Sequence, residues 1–487
     1  MIAKLFELSS IGTNSEQFFR ELEARLAGDA RLLTYYARAG AEPNEAVLTA
    51  VMQTPQGLDA LRTSIELSPG IPSLTPQIPS FHVFEREIYE QLGLKAHGHP
   101  WLKPLRFSGD QQGQLRDYPF YRIEGKEVHE VAVGPIHAGV IEPGHFRFMC
   151  LGETIHHLEI QLGFAHRGVE ALLHAHPPWS LTPWVETIVG DTSVGHAWAY
   201  CAALESLAQI ELPLAAQVSR GIALELERIA MHLASLSGLA TDIGFLQGAA
   251  TYARLRTTAI NTTMLLCGSR FGRGWLRPAG SRVSMSQETI RSVRTNLSLI
   301  ERDIAIINAH FMGARSVAHR LRGIGTLTES QATELGVVGV AARASGQALD
   351  QRACPAAEFP YGALRPKIVV ETSGDCWARA VIRIREIDVA LEWLYGALHV
   401  CETRSRPPSE PRALQPNALS VAVCEGWRGE VVHCLETNSE GALRHFRVQD
   451  PSLRNWIALA LCVRDNEIYD FPICNKSFDL SYCGNDL

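Results

Sequence analysis

Titratable side chains that could do chemistry are concentrated in one stretch of the chain. His137, His145 and His166 precede Glu170, and His196 follows at the start of a helical segment. A histidine can donate a hydrogen bond or a proton near neutral pH, and a partly buried carboxyl has a raised pKa that suits proton exchange. The alternative interpretations are internally hydrogen-bonded structural histidines and a helix-terminal glutamate paired with a neighbouring arginine.

The cysteines do not form a metal-binding pattern. The chain has 11 of them, and no two are three residues apart, so no C-x-x-C pair exists. Thiolate-bound zinc and iron–sulfur sites usually use such a pair, because two ligands from one tight turn fix half of the coordination geometry. An odd, scattered set also does not indicate a disulfide framework. We therefore expect buried reduced thiols and no metal held by this chain.

Length and composition indicate a soluble protein of two or three domains. The chain has 487 residues, 46% hydrophobic and 20% charged, with a formal net charge of −7, which is typical of a globular protein. No basic block predicts nucleic-acid binding. No apolar run approaches the roughly 20 residues that span a bilayer, and no signal peptide is evident. We expect a cytoplasmic chain that a partner holds at any membrane.

Apolar periodicity predicts the elements that position these residues. A helix is expected over residues 81–92, with Ser80 as its N-cap and Gly93 at its end. Ser284 and Gln287 can form a capping box before another helix. Paired strands are predicted at 145–151 and 154–162, core helices at 195–210, 215–239, 251–267, 286–311 and 375–398, and further strands at 418–424, 429–434 and 443–448.

These elements predict an α+β fold, in which a small N-terminal α/β module precedes a mainly helical domain with peripheral β-strands. A polar, glycine-containing stretch near residues 107–128 lacks periodicity and suggests a linker. We place the first domain at residues 1–115, the linker at 116–128 and the second domain at 129–487.

Two segments carry a family resemblance. Ser-Leu-Thr-Pro at residues 73–76, followed by Phe-Glu-Arg-Glu at 84–87 and Gly-His-Pro at 98–100, resembles the 30 kDa subunit of respiratory complex I. Gly-Pro-Ile-His-Ala-Gly at 134–139 and Glu-Pro-Gly-His-Phe-Arg-Phe at 142–148 resemble complex I 49 kDa subunits and group 4 nickel–iron hydrogenase large subunits, above all that of formate hydrogenlyase. The resemblance implies docking for the first module and the redox site for the second.

In those hydrogenases, two cysteine pairs bind nickel and iron. When the chain is aligned through His196, the first pair falls on Val189 and Thr192; aligned through the tail aspartate, the second falls on Ser481 and Gly484. These residues cannot supply four soft anionic ligands, so we expect no nickel–iron centre. In complex I 49 kDa subunits the same vacated cavity holds the quinone head-group, although the position of their quinone-binding tyrosine is glycine in this chain.

Other family positions persist. The resemblance implies catalytic roles for Glu170, His196 and Arg428. It implies ligand-binding roles for His137, His145, His166, Gly190, Asp479 and Ser481.

The resulting hypothesis is a peripheral subunit on the cytoplasmic side of a membrane-bound, hetero-oligomeric oxidoreductase. The resemblance implies iron–sulfur clusters on a small partner subunit, membrane-embedded ion-translocating subunits, and quinone as the acceptor. Any nicotinamide site belongs to a partner, because no glycine-rich phosphate loop is present. Two alternatives stay open: a true nickel–iron enzyme with unusual ligands, for which Cys474 and Cys483 are the candidates near the tail, and a non-catalytic scaffold whose old site is filled by side chains.

Overall fold

The computed structural model describes residues 1–107, 117–137, 139, 141–357, 360–400 and 411–487. Residues 108–116, at the start of the predicted linker region, lie outside the described residues, as does Cys401. The domain boundaries proposed from the sequence stay predictions.

The strands are mostly short and antiparallel. In chain order they are β1 (Ile2–Glu7), β2 (Arg31–Ala39), β3 (Glu45–Thr54), β4 (Gly57–Glu66), β5 (Ile71–Pro72), β6 (Ala96–His97), β7 (Val128–Val133), β8 (His145–Leu151), β9 (Thr154–Gln161), β10 (Leu276–Arg277), β11 (Gly280–Ser281), β12 (Ala418–Glu425), β13 (Glu430–Thr437) and β14 (Leu443–Gln449).

The helices include the predicted core set. They are α1 (Ser15–Ala27), α2 (His82–Leu92), α3 (Val169–His174), α4 (Thr182–Val185), α5 (Ser193–Leu207), α6 (Leu214–Asp242), α7 (Leu246–Cys267), α8 (Gln287–Gly313), α9 (Arg315–Leu321), α10 (Glu329–Glu334), α11 (Gly339–Ala344), α12 (Cys376–Val400), α13 (Pro451–Cys462), α14 (Phe471–Phe478) and α15 (Tyr482–Asp486). Long helices together with several small sheets confirm the predicted mixed α+β class.

Three small sheets frame the helices. β2, β3 and β4 form one antiparallel sheet, and β7, β8 and β9 form another, which confirms the predicted pair of strands after residue 145. The third sheet has the order β1-β12-β13-β14, so the first strand of the chain pairs with the C-terminal strands, Ile2 opposite Val423. The two ends of the sequence therefore fold into one sheet.

Helix α5 lies against this third sheet and is buried along nearly its whole length. Its sequence is apolar on all sides, which is typical of a helix enclosed by other elements. It packs against β12 and β13 on one side and against α4 and α6 on others. The residues at its N-terminus are thus held between the sheet and the long helix α6.

Two predicted caps differ from the structure. Ser80 is not the N-cap of α2, because a 3₁₀ turn over Pro79–Phe81 leads directly into the helix and Phe81 takes the cap position. Helix α8 is capped by Ser286, whose side chain accepts from the Thr289 N–H, and not by Ser284. The predicted stop at Gly93 is confirmed, because this residue has φ 72° in the left-handed region.

A buried charge cluster joins α2 to the C-terminal part of the chain. Glu87 accepts hydrogen bonds from Arg447 on β14, at 2.5 Å for each carboxylate oxygen, and from Arg106. Arg106 also donates through Nε to the Asn485 carbonyl at 2.6 Å. The N-terminal module is therefore fastened directly to the C-terminal tail.

Candidate functional site

The first loop, residues 188–192, and the tail, residues 479–487, lie on opposite walls of one open cleft, which we call the tail cleft. It encloses about 1070 Å³ of empty space, part of which is open to solvent. Its lining includes Val189, Gly190, Asp191, Met231, Arg256, Phe271, Arg273, Trp427, Arg428, Lys476 and every residue from Asp479 to Cys483. Two segments almost 300 residues apart in sequence therefore meet at one site.

Arg428 joins the two segments. Its Nη1 and Nη2 donate to the two Asp191 carboxylate oxygens at 2.6 and 2.9 Å, and its Nε donates to the Asp479 carbonyl at 2.5 Å. Nη1 also contacts Thr192 Oγ1 at 3.2 Å. The guanidinium is 6% exposed, whereas Asp191 is 36% exposed at its side chain. The planar, bidentate geometry fixes the loop and tail relative to one another.

Asp479 terminates α14 in the left-handed conformation, φ 54° and ψ 49°. Its carboxylate accepts from Lys476 Nζ at 2.9 Å and from the Ser235 hydroxyl. Burial would raise the pKa of Asp479, but the charges of Lys476 and Arg428 outweigh it and lower that pKa to about 2. The tail therefore begins with a carboxylate that stays ionised at neutral pH.

The four positions aligned with hydrogenase cysteines do not present a ligand set. Val189 and Thr192 are buried, at 1% and 0% exposure. Ser481 caps α15 by accepting from the Gly484 N–H at 2.9 Å. A Cβ on Gly484 would lie 2.6 Å from the Asp450 carboxylate, so that carboxylate fills the space where a side chain would start.

The donor set does not fit a nickel–iron centre, which requires soft thiolates. Of the residues that the structure describes, no group of three or more histidine, cysteine or acidic side chains is arranged to hold a metal ion. Cys483 lines the tail cleft, but Cys474 lies outside its lining, beside Gly325 and Cys376. Burial also raises the pKa of Cys483 to about 12, which disfavours its thiolate form.

His196 belongs to a fully buried hydrogen-bonded chain behind the cleft. Its Nε2 lies 3.2 Å from Asp450 Oδ2, and its Nδ1 lies 3.1 Å from His433 Nε2. Burial would raise the pKa of Asp450, but the hydrogen bond from His196 lowers it, and burial drives the pKa of His433 well below its usual range. The contacts fit an ionised Asp450 accepting from His196, which in turn accepts from a neutral His433.

His137 lies beside the tail. Its Nε2 is 3.3 Å from the Tyr482 hydroxyl, and the two rings lie 5.9 Å apart. In the same loop, Glu142 accepts from the Cys483 N–H at 3.1 Å. Burial lowers the pKa of His137 and raises that of Tyr482, so both side chains are neutral at physiological pH. A neutral histidine and a phenol therefore form one polar edge of the tail cleft.

Glu170 and His166 line a different opening, which we call the glutamate cleft. Glu170 accepts from the Val448 N–H at 2.9 Å and lies 3.4 Å from Arg447. Burial raises the pKa of Glu170, with Arg447 acting in the opposite direction. His166 contacts the Asp486 carbonyl through Nδ1 at 2.7 Å. The structure thus separates these two predicted site residues from Gly190, Arg428, Asp479 and Ser481.

His145 also lies away from the tail cleft. Its ring packs against Phe120 at 5.2 Å, and within the described residues its Nε2 has no hydrogen-bond partner. Burial lowers its pKa. Of the nine residues assigned from the sequence, the cleft and the buried chain behind it gather six: His137, Gly190, His196, Arg428, Asp479 and Ser481.

Three side chains at the site have weaker sequence signals. Asp450 precedes Pro451 and Ser452, which is a helix-start pattern that hides its second contact with His196. His433 lies within a strand where it looks like an ordinary core residue. Tyr482 is visible in the sequence as an aromatic residue of the tail, but only the fold places it beside His137.

Comparison with known proteins agrees with this architecture. Residues 25–122 match the model of the respiratory-chain NADH dehydrogenase 30 kDa subunit, and residues 242–406 match that of the 49 kDa subunit. The chain is a fusion of these two complex I subunit domains. The recognition made from the sequence motifs is confirmed, including the likeness to formate hydrogenlyase.

Curated relatives of the fusion include hydrogenase and complex I proteins. Formate hydrogenlyase subunit 5 of Escherichia coli is 28% identical over 86% of this chain and 77% of its own length. The C/D fusion protein of the NADH-quinone oxidoreductase of Phocaeicola vulgatus is 25% identical over 78% of this chain and 79% of its own length.

A solved chain of the membrane-bound sulfane sulfur reductase, an archaeal respiratory membrane complex, shares the fold. The TM-score is 0.70 at 22% identity, and the match covers 75% of this chain and all of that one. Within the described residues of the fusion, no helix combines the length and apolar character needed to cross a membrane.

Proposed function

We propose that this fusion is a peripheral subunit of a membrane-bound, complex I-like oxidoreductase, in which the tail cleft replaces the nickel–iron centre as the acceptor site. Electrons would come from iron–sulfur clusters on a small partner subunit on the cytoplasmic side. Membrane-embedded partners would couple the reaction to ion translocation. The relatives named as hydrogenase and NADH-quinone oxidoreductase proteins support this placement.

One observation carries the proposal: the two segments that would hold a metal meet at an open cleft with polar and aromatic walls, tied by Arg428. A filled site would favour a scaffold, and clustered thiolates would favour nickel. The open space and the separation of Cys474 from the cleft support neither alternative.

The cleft is suited to a flat carbonyl compound such as a quinone. Phe271, Trp427 and Leu480 supply apolar wall surface, and Tyr482 supplies a neutral hydroxyl. A bound quinone would provide a two-electron, two-proton acceptor. Tyr482 can donate a hydrogen bond to a ligand oxygen, and His137, which contacts the phenol, can orient it and exchange its proton.

The test uses the purified intact complex and a water-soluble short-chain quinone. Tyr482→Phe removes the hydroxyl and keeps the ring, so we expect the rate of quinone reduction to fall by at least about tenfold, in line with loss of a general acid. Tyr469→Phe is the matched control, because Tyr469 is 58% exposed and lies outside the cleft lining. A Tyr482→Phe complex with the unaltered rate and unaltered KM would refute the role of the cleft.

A further inference from the structure

Glu227, on α6, lies immediately behind the first loop of the tail cleft. Its Oε2 accepts from the Val194 N–H at 2.7 Å and its Oε1 accepts from the Gly195 N–H at 3.2 Å. Both donors belong to the first turn of α5, two to three residues after Thr192. Met231, one helical turn further along α6, lines the cleft itself. The carboxyl therefore holds the segment from which the first loop emerges.

The surroundings of Glu227 are unusual for a buried acid. The residue is 7% exposed, and among the described residues no lysine, arginine or histidine nitrogen lies within 4.0 Å of its carboxylate. The charged or titratable groups that face it are Asp191 from the first loop, Arg228 from its own helix and Cys424 from β12. A buried carboxylate without a direct cation is costly, and such a group holds a proton more tightly than usual.

The geometry points to Glu227 as a proton-exchanging positioning residue of the tail cleft, whose ionisation state sets how firmly the first loop is held. The inference rests on the proposed acceptor function, since proton uptake must accompany reduction of a carbonyl compound. It assigns no contact between Glu227 and the acceptor. The step is one proton added to or removed from a carboxylate, with no change in electron count.

Protonation state and loop position are linked through two hydrogen bonds. As a carboxylate, Glu227 accepts two N–H bonds and adds negative charge at the N-terminus of α5, which the helix dipole favours. As a carboxylic acid it accepts more weakly, so α5 and the first loop are held less firmly. Asp191 in that loop binds Arg428, so the change reaches the junction with the tail.

Burial is the largest influence on the pKa of Glu227 and raises it to about 8, against the two backbone N–H bonds, which lower it. The carboxyl is thus mostly protonated at pH 7 and ionises as the pH rises through about 8. Infrared difference spectroscopy of the intact complex between about pH 6 and pH 9, which brackets that value, should show a carboxylic-acid carbonyl band that disappears at high pH. The band should be absent in Glu227→Gln and return, shifted, in Glu227→Asp.

The same variants give a kinetic readout. In the wild-type complex we expect quinone reduction to show an inflection near pH 8 that Glu227→Gln removes and Glu227→Asp restores at a shifted pH. Glu440→Gln, at an exposed turn carboxyl, is the matched control and should keep the wild-type profile.

Two outcomes separate the inference from the proposed function. A Glu227→Gln complex that folds and retains both the infrared band and the inflection overturns the inference, whatever the acceptor is. A band that titrates as expected in a complex that reduces no quinone supports proton exchange at Glu227 and counts against quinone as the acceptor.

Discussion

Removing the Arg428 side chain should separate the tail from the first loop. Arg428→Ala deletes the two bonds to the Asp191 carboxylate, the bond to the Asp479 carbonyl and the contact with Thr192. Breaking a fully buried ion pair costs about 3–5 kcal/mol. Asp191 is 36% exposed, so water can solvate its charge, and we reduce this part to about 2–3 kcal/mol.

The Asp479 carbonyl also loses its donor, which adds about 1 kcal/mol. The expected local destabilisation is therefore about 3–4 kcal/mol, or a factor of a few hundred in the opening equilibrium of the tail. Hydrogen exchange of the amides in residues 479–487 measures that opening directly, because amide exchange reports local unfolding free energies. A urea titration of the full chain reports how much of the loss is global.

The matched control is Arg385→Ala. Arg385 pairs with Glu371 at 2.5 Å, but their side chains are 53% and 26% exposed, so the change should cost below about 1 kcal/mol and leave tail exchange unaltered. Arg428→Lys should lie between Arg428→Ala and wild type, since lysine keeps the charge but loses the bidentate geometry. Folded Arg428→Ala protein with wild-type tail exchange would refute the claim that Arg428 holds the two segments together.

Two further results follow from the same contacts. Gly484→Ala places a Cβ 2.6 Å from the Asp450 carboxylate, so we expect a loss of about 1–3 kcal/mol in urea unfolding and a disturbed His196 imidazole signal in NMR; an unaltered signal would contradict the packing described. Asp479 has a pKa lowered to about 2 from 3.8, so its contribution, on the order of 2 kcal/mol, is present above about pH 4 and lost as the pH falls from about 4 to 2. Asp479→Asn should flatten that acid limb of the stability profile, and an Asn variant with the wild-type acid dependence would contradict it.

Much of the fold could be predicted from local pattern. The alternation after His145 and the three- and four-residue spacing of Ile290, Val293 and Leu297 follow from burial of one face, and both elements are present. The cap before α8 was misplaced by two residues because several serines there can each accept from a helix N-terminus. Pairing of β1 with β12 joins residues more than 400 positions apart, and no local pattern encodes it.

The site was predictable only where a family motif marks it. Alignment with hydrogenases identified the first loop and the tail, and the structure places both on the tail cleft. It also led to Glu170 as a cleft residue, whereas the fold directs that side chain to Val448 and Arg447 at the glutamate cleft. Glu227 was passed over because an acid on a long helix looks like an ordinary surface charge until its burial is known.

The most direct test of the account is the nickel content of the intact complex, purified under anaerobic conditions and measured by elemental mass spectrometry. Iron is not informative, because clusters on a partner protein would contribute it. The residues at positions 189, 192, 481 and 484 predict nickel far below one atom per chain in a complex that still reduces its acceptor. One nickel atom per chain, lost together with activity on chelation, would contradict the central claim.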